Sequence, residues 1–363
     1  MKTLIGAENI ISPLGNTAKE NFSNLKAGVS GITLVENAGF DKESIHLSKF
    51  KTKQTFYDIL SSCLKNLISN VNGELINDEK TIVIISTTKA DIEENLATPI
   101  EKSITLLINE FDLKNQPIVI SNACISGVLA TNTANNLLQS GLYKYAFVIG
   151  ADVLSEFVLF GFQSLYAISD EPALPFDKDR KGISLGEGAA GVVMTADSSI
   201  YAADFFEFIE GTSSGDANHI SGPSRTGEGL YRSVKNSLKL GDIKPSEIDF
   251  ISAHGTGTNF NDEMEAIAFN RLELGETPLN SLKGYYGHTL GAAGLIEIAI
   301  CLQSLRNNTL IKSLGYKEQG TTVKINVLSD NKEQELTTIL KTASGFGGCN
   351  ASAIIRKIDN TTI

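Results

Sequence analysis

The chain has 363 residues, of which 42% are hydrophobic and 20% are charged, and its formal net charge is −11. A chain of this size and composition buries roughly three-quarters of the surface that its unfolded form exposes, which excludes a disordered protein. Phosphate binding needs concentrated Lys and Arg, and because this acidic chain has no such face, a nucleic-acid partner is excluded.

Short β-rich runs recur along the chain, each followed by a helical pattern; they lie at 81–86, 117–123, 145–152, 191–197 and 248–254. Continuous apolar strands indicate sheets covered on both faces, which predicts an α/β fold. One buried strand runs into Cys124 and another into His254, so we predict an internal pseudo-repeat. The expected halves are residues 1–200, carrying the nucleophile, and 201–363, carrying two histidines, packed as one body.

The cysteines and histidines indicate where the protein works and what its site contains. The four cysteines are widely spaced without a CxxC pair and the chain opens without a signal peptide, so we expect reduced thiols and a cytoplasmic location. No stretch is long and apolar enough to span a bilayer. The four histidines show no metal-ligand spacing, so we expect a site of organic groups without a metal.

The first reactive turn follows the run at 117–123 and places Cys124 at the predicted N-terminus of a helix. Unpaired N–H groups and the helix dipole favour negative charge there, which predicts a lowered thiol pKa and a thiolate nucleophile. A backbone N–H of the turn can also stabilise an oxyanion. The alternative for a single cysteine at a strand–helix junction is a small, buried apolar residue.

A second reactive turn begins at His254, which ends the run at 248–254. The Gly/Thr turn that follows contains Thr256 and Thr258, whose hydroxyl groups can bind a polar arm such as pantetheine. The imidazole of His254 can donate a hydrogen bond to a thioester oxygen. A core histidine with satisfied hydrogen bonds is the alternative for this residue taken singly.

A third turn, rich in small residues, places His288 at the start of an apolar helix. Glu297 lies within that helix and needs a buried cationic partner, for which Lys283 is the nearest candidate, so a structural ion pair is one interpretation of Lys283. The glycine-rich segment 343–352 lacks both phosphate-loop patterns. It predicts a tight turn with Phe346 as an apolar gate beside a pocket, or else a plain hairpin turn.

Six motifs follow one another in a fixed order. They are NACISG (122–127), PFDKDRKGISLGEGAAGVV (175–193), GDANHISGP (215–223), HGTGTNFND (254–262), KGYYGHTLGAAGLIE (283–297) and GFGGCN (345–350). Together they resemble the β-ketoacyl-acyl-carrier-protein synthases, the condensing enzymes of fatty-acid and polyketide synthesis. The resemblance runs from ISPLGNT at 11–17 to the final glycine loop, which is nearly the whole chain.

The resemblance implies a thiolase-like α/β fold, in which two similar halves form a five-layer αβαβα body that is usually dimeric. It also implies that Cys124 takes an acyl chain from an acyl-carrier thioester, with the backbone N–H groups of Cys124 and Phe346 as the oxyanion hole. His254 and His288 then assist decarboxylation of malonyl-carrier protein and stabilise the enolate, and Lys283 organises the site.

The same resemblance implies the partners and the supply of substrate. Thr256 and Thr258 match positions that contact pantetheine. No metal or redox cofactor is needed, because the substrates are carried on the phosphopantetheine of an acyl carrier protein. The chain is expected to form a homodimer, or a heterodimer with a related synthase or chain-length-factor subunit.

Two departures from the housekeeping pattern suggest a specialised substrate. Ile125 and Ser126 follow the nucleophile where housekeeping members carry Ala-Thr, so we expect a differently shaped acyl pocket. The segment 150–165, the ACISG motif and the short chain together resemble synthases of aryl-polyene or flexirubin-type pigment pathways.

Two alternatives to this enzyme class stay open. A thiolase shares the fold but uses a second cysteine as base, for which Cys349 is the candidate. A chain-length factor is a catalytically silent partner that typically lacks the nucleophile, whereas Cys124, His254 and His288 are all present here.

Overall fold

A computed structural model describes residues 2–216 and 222–358 of the chain. His219 of the GDANHISGP motif lies outside the described residues. The strands are β1 (Thr3–Ile11), β2 (Ile32–Val35), β3 (Ile45–Ser48), β4 (Thr81–Ser86), β5 (Ile118–Ile120), β6 (Tyr145–Asp152), β7 (Leu185–Gly186), β8 (Gly188–Thr195), β9 (Phe206–Gly215), β10 (Phe250–Ser252), β11 (Pro278–Asn280), β12 (Thr309–Leu310), β13 (Asn326–Val327), β14 (Lys332–Glu333), β15 (Thr338–Gly345) and β16 (Cys349–Lys357). The helices are α1 (Ala18–Lys26), α2 (Phe56–Ser69), α3 (Glu101–Phe111), α4 (Ser126–Gln139), α5 (Glu156–Ser164), α6 (Glu228–Leu240), α7 (Asn259–Arg271), α8 (Lys283–Tyr286) and α9 (Ala293–Asn307).

Eleven strands of the described residues form one sheet, in the order β13-β11-β10-β15-β16-β9-β1-β8-β6-β4-β5. In the first half β1, β8 and β6 pair antiparallel, and β6, β4 and β5 pair parallel. The second half repeats this arrangement with β9, β16 and β15 antiparallel, and β15, β10 and β11 parallel. An antiparallel contact between β1 and β9 joins the halves. The predicted pseudo-repeat is therefore confirmed.

The turns at Cys124 and His254 are not equivalent positions of the two halves. Cys124 follows β5, whose counterpart in the second half is β11, the strand that precedes Lys283 and His288. His254 follows β10, whose counterpart is β4. Cys124 and His254 therefore lie on turns that are not equivalent in the repeat, because buried apolar runs look alike in sequence while strand order is decided by pairing.

Helices α4 and α9 form the middle layer between the two halves of the sheet. Helix α4 contacts strands of both halves, as does α9. The two helices approach closely at glycine: a Cβ on Gly127 would lie 2.8 Å from the backbone nitrogen of Leu295. On the outer faces α2 and α3 cover the first half, and α6 and α7 cover the second. These five layers confirm the predicted αβαβα architecture.

The central position of α9 follows from its sequence. Every residue from Ala293 to Leu305 is buried, as expected for a helix that is apolar on all sides. The strands beside this helix are also shielded from solvent, and β4 and β6 are buried along their whole length. The core therefore lies around α4 and α9, next to the reactive turns.

No helix among the described residues has the length and apolar character needed to cross a bilayer.

Candidate active site

Three turns meet at one end of the central helices and bring together Cys124, His254 and His288. Sγ of Cys124 and one ring nitrogen of each histidine all lie within 4.8 Å of one another. Cys124 is 7% exposed and each histidine is 2% exposed. The rings of the two histidines stand edge to face with centroids 5.2 Å apart. The three residues singled out from sequence thus form one buried cluster.

The turn at Cys124 is strained and is fixed by its neighbours. Ala123 has a φ of +44°, a left-handed conformation that is uncommon outside glycine and Asn. The hydroxyl of Ser126 accepts a hydrogen bond from the backbone N–H of Asn122 at 2.8 Å and donates to the carbonyl of Ala123 at 2.7 Å. Ser126 therefore holds the conformation that presents the thiol.

The environment of Cys124 reverses the expected effect on its thiol. Burial raises the pKa of Cys124 to about 12, with Cys349 adding to the rise, while Lys283 and the backbone of Phe346 oppose it. The prediction of a lowered thiol pKa is wrong. Helix α4 begins only at Ser126, and removal of the sulfur from water outweighs the helix dipole. The side chain of Cys124 is therefore a thiol at neutral pH.

The backbone determines which nitrogen of His288 carries the proton. The N–H of Leu290 donates to Nδ1 of His288 at 3.3 Å, so in the neutral ring the proton resides on Nε2. Nε2 lies 2.9 Å from Sγ of Cys124. Burial lowers the pKa of His288 well below its usual value, and the charge of Lys283 lowers it further. A neutral imidazole N–H thus contacts the sulfur.

His254 is also held as a neutral imidazole. Burial lowers its pKa well below the usual value, and Lys283, His288 and Lys341 act in the same direction. Its Nδ1 is buried and has no hydrogen-bond partner in the described part of the chain. Since His254 lines the cavity, Nε2 is the nitrogen available to a substrate. Its backbone N–H donates to Glu265 at 2.8 Å.

Thr256 and Thr258 lie on the wall of the same cavity, as predicted for groups that bind a polar arm. Their hydroxyl oxygens are 2.9 Å apart, and the hydroxyl of Thr258 caps α7 by accepting from Asn261. Asp262 accepts hydrogen bonds from the backbone N–H groups of Thr256 and Gly257. These hydrogen bonds hold the Gly/Thr turn, and both threonines line the cavity.

A buried charge cluster lies behind the histidines. Lys283 Nζ is 2.5 Å from Glu297 Oε1, which confirms the predicted partner of Glu297. Sequence reasoning missed the second partner, Lys341, whose Nζ is 2.8 Å from Glu297 Oε2 and whose side chain is fully buried. Strand β15 is buried from Thr338 to Ser344, and a lysine in such a strand requires a buried anion, but its mixed polar sequence does not reveal that burial.

The cavity above the thiol has a volume of about 460 Å³. Its lining includes four aromatic side chains, those of Phe162, Tyr166, Phe260 and Phe346. The rings of Phe162 and Phe346 pack against each other with centroids 5.3 Å apart, and Phe346 is 39% exposed. Phe346 thus lies at the cavity as predicted for a gate, on the turn between β15 and β16.

The structure also locates Ile125, which follows the thiol in sequence, and Cys349, the candidate base of the thiolase alternative. Ile125 is 1% exposed and packs in the central core, and the cavity lining in the described residues does not include it. Its branched side chain therefore does not shape the cavity wall directly. Cys349 is half-buried, with Sγ 3.4 Å from the carbonyl of Phe346. It lies near enough to Cys124 to add to the rise in the pKa of that thiol.

Comparison with known proteins identifies relatives of this chain. The family model described as "Beta-ketoacyl synthase, N-terminal domain" matches residues 103–199, and "Beta-ketoacyl synthase, C-terminal domain" matches residues 209–317. The chain is 31% identical over 276 residues to a 3-oxoacyl-[acyl-carrier-protein] synthase 2 of Coxiella burnetii, covering 69% of this chain and 64% of the relative. It is 33% identical over 257 residues to the protein of that name in Rhizobium meliloti, covering 66% and 60%.

These alignments span somewhat less than two thirds of each relative's length. Among solved structures, a chain of a ketosynthase in complex with its chain length factor from Xenorhabdus doucetiae superposes with a TM-score of 0.86. The identity is 25%, and the match covers 98% of each chain. The fold is therefore shared over nearly the full length described.

Proposed function

The chain belongs to the β-ketoacyl synthase family, and on that premise we propose that it is an acyltransferase that performs a decarboxylative Claisen condensation. The proposed substrates are an acyl thioester, transferred to Cys124, and malonyl-acyl-carrier protein. The product is a β-ketoacyl-carrier protein. The observation that carries the proposal is the buried Cys124 thiol in contact with neutral His288 and beside neutral His254.

In the first half-reaction the thiol of Cys124 attacks the carbonyl of the acyl-carrier thioester. The S–H proton passes to the departing carrier thiolate, so no net charge is left in the site. The Nε2–H of His288 stabilises the sulfur as negative charge develops on it. The backbone N–H groups of Cys124 and Phe346 are the proposed oxyanion hole, and the backbone of Phe346 hydrogen-bonds the sulfur in the resting state.

In the second half-reaction the malonyl group loses CO₂, and the electron pair of the broken bond forms an enolate on the thioester. Neutral N–H groups of His254 and His288 stabilise the enolate oxygen where charge develops. The nucleophilic carbon then attacks the acyl group and expels the sulfur of Cys124 as a thiolate, and a proton from solvent restores the thiol. The hydroxyls of Thr256 and Thr258 are proposed to bind the phosphopantetheine arm. The scheme uses no metal and no redox cofactor.

We infer that the protein also pairs with a second subunit, either a copy of itself or a related chain-length factor. Strand β5 lies at the edge of the eleven-stranded sheet and is half-buried along its length. An edge strand leaves backbone groups available for pairing. The Xenorhabdus doucetiae structure named above is itself a ketosynthase with its chain length factor.

For the pathway, we propose fatty-acid or polyketide synthesis, and more narrowly an aryl-polyene type of chain. The support is the presence of four aromatic side chains in the cavity lining, those of Phe162, Tyr166, Phe260 and Phe346. Ring faces at these positions offer stacking to a flat conjugated chain. The segment 150–165, which resembles pigment synthases, contains α5 and thereby Phe162.

The test is a reconstitution with defined carriers. Purified protein is incubated with saturated, polyenoyl and aryl-capped acyl carriers, and then with malonyl-carrier protein. The acyl mass on Cys124 and the products are read by mass spectrometry, with Cys124→Ala as the control that cannot be acylated. We expect an acyl adduct and a product two carbons longer. No adduct with any carrier would indicate the silent chain-length factor, and extension of saturated chains only would exclude the pigment pathway.

A further inference from the structure

Lys341 lies where a charged residue is least expected, in the interior of β15, with its side chain 0% exposed. Its Nζ donates to the carbonyls of Ser252 at 2.9 Å, Ala253 at 3.2 Å and Thr342 at 2.6 Å. It also contacts Glu297 Oε2 at 2.8 Å. All four partners are acceptor oxygens, which is the environment of an ammonium group.

Lys341 and Lys283 both donate hydrogen bonds to backbone carbonyls at the end of β10. Lys283 Nζ donates to the carbonyl of His254 at 2.9 Å. Together the two ammonium groups bind three consecutive carbonyls, those of residues 252, 253 and 254, where β10 ends in the reactive histidine. One carboxylate, that of Glu297, contacts both lysines. Two elements distant in sequence therefore clamp the backbone of His254.

The pair of Lys283 and Glu297 is already neutral, so core packing alone does not require a second cation. Burying a further ammonium is costly unless its hydrogen bonds compensate, and an apolar side chain at position 341 would avoid that cost. The compensation present here consists mainly of contacts with the strand that carries His254. These contacts indicate that Lys341 serves the active site and is not needed for the stability of the core.

We propose that Lys341 is a positioning residue for His254. It immobilises the carbonyls that precede the histidine and holds Glu297 in the orientation from which Lys283 binds the carbonyl of His254. It acts through His254 on the decarboxylation half-reaction and does not touch the acyl-transfer step at Cys124. This assignment rests on the proposed condensation and adds a residue to it.

Electrostatics supports the assignment. The charged and titratable groups around His254 are Cys124, Lys283, Lys341, His288, Glu265, which accepts its backbone N–H, and Glu297 behind the two lysines. Burial is the main cause that lowers the pKa of His254, and the three cationic or titratable neighbours lower it further. Loss of Lys341 therefore raises this pKa and moves the protonation of His254 to higher pH.

The experiment separates the two half-reactions in Lys341→Met, which keeps an unbranched side chain, one atom shorter, and removes its charge. We expect decarboxylation of malonyl-carrier protein to fall about tenfold or more, since small displacements of a reacting group cost rates of that order. Acylation of Cys124 should stay within about twofold of the wild type. The control is Lys324→Met, an exposed lysine outside the cavity lining, which pairs with Glu276 at 3.1 Å. It should leave the ratio of the two rates unchanged.

A second measurement needs no substrate. With labelled histidine, NMR follows the imidazole of His254 between pH 5 and pH 8; the wild-type ring should stay neutral, and in Lys341→Met it should protonate at higher pH. An unaltered titration, or equal losses in both half-reactions, would overturn the proposal. If the wild type decarboxylates no malonyl carrier, the proposed function fails, and the NMR titration still decides the role of Lys341.

Discussion

Replacement of Glu297 by Gln is the change that the buried cluster should tolerate least. The carboxylate contacts Lys283 Nζ at 2.5 Å and Lys341 Nζ at 2.8 Å, and all three side chains are at most 3% exposed. A neutral amide leaves two buried ammonium groups without an anion. Removing one partner of a buried pair costs about 3–5 kcal/mol. Because two cations here share one partner, we expect a loss of about 5 kcal/mol.

The expected shift in Tm follows from the length of the chain. With 363 residues and an unfolding entropy of about 2.1 cal/mol/K per residue, a loss of about 5 kcal/mol lowers Tm by roughly 6–7 °C. The assay is thermal unfolding at neutral pH of the wild type, Glu297→Gln, Lys341→Met and the double variant. The double variant buries a single cation, so it should be more stable than Glu297→Gln. Lys341→Met retains a balanced pair and should lie nearest the wild type.

Two results would refute this reasoning. If Glu297→Gln unfolds at the same temperature as the wild type, the carboxylate does not neutralise the lysines. If the double variant is less stable than Glu297→Gln, the two ammonium groups do not repel each other in the core, and the destabilisation has another cause.

Three further predictions concern the thiol, the central helices and pH. Alkylation of Cys124 by iodoacetamide, read as adduct mass, should rise about tenfold per pH unit from pH 7 to pH 9 because burial raises its pKa to about 12; a plateau below pH 8 would contradict this. Gly127→Ala places a Cβ 2.8 Å from the backbone nitrogen of Leu295 and should cost about 1–3 kcal/mol in urea unfolding. Its control, Gly161→Ala, meets nothing within 4 Å and should be neutral or slightly stabilising; similar losses in both would argue against a close helix contact. Burial raises the pKa of Glu265 from 4.5 to about 7, so the folded state binds this proton more tightly and wild-type stability should fall as pH rises from about 4.5 to 7. Glu265→Gln should flatten that fall in unfolding measured across this range, and an equally steep fall in the variant would assign it to other groups.

Local patterns in the sequence were sufficient where the physics is local. The apolar runs predicted an α/β fold with a repeat, and eleven paired strands around α4 and α9 confirm it. Glu297 in an apolar helix required a buried cation, and Lys283 provides it. The order of six motifs likewise identified the family that the comparisons find.

The sequence by itself determined the residue types of the site and the small residues that let backbone and substrate approach them. Only the tertiary structure decided the sign of the pKa shift at Cys124, because desolvation depends on how many distant elements cover the sulfur. It also decided that Ile125 packs in the core and that Lys341 stands behind His254. These environments are assembled from strands and helices far apart in the chain, so no local window contains them.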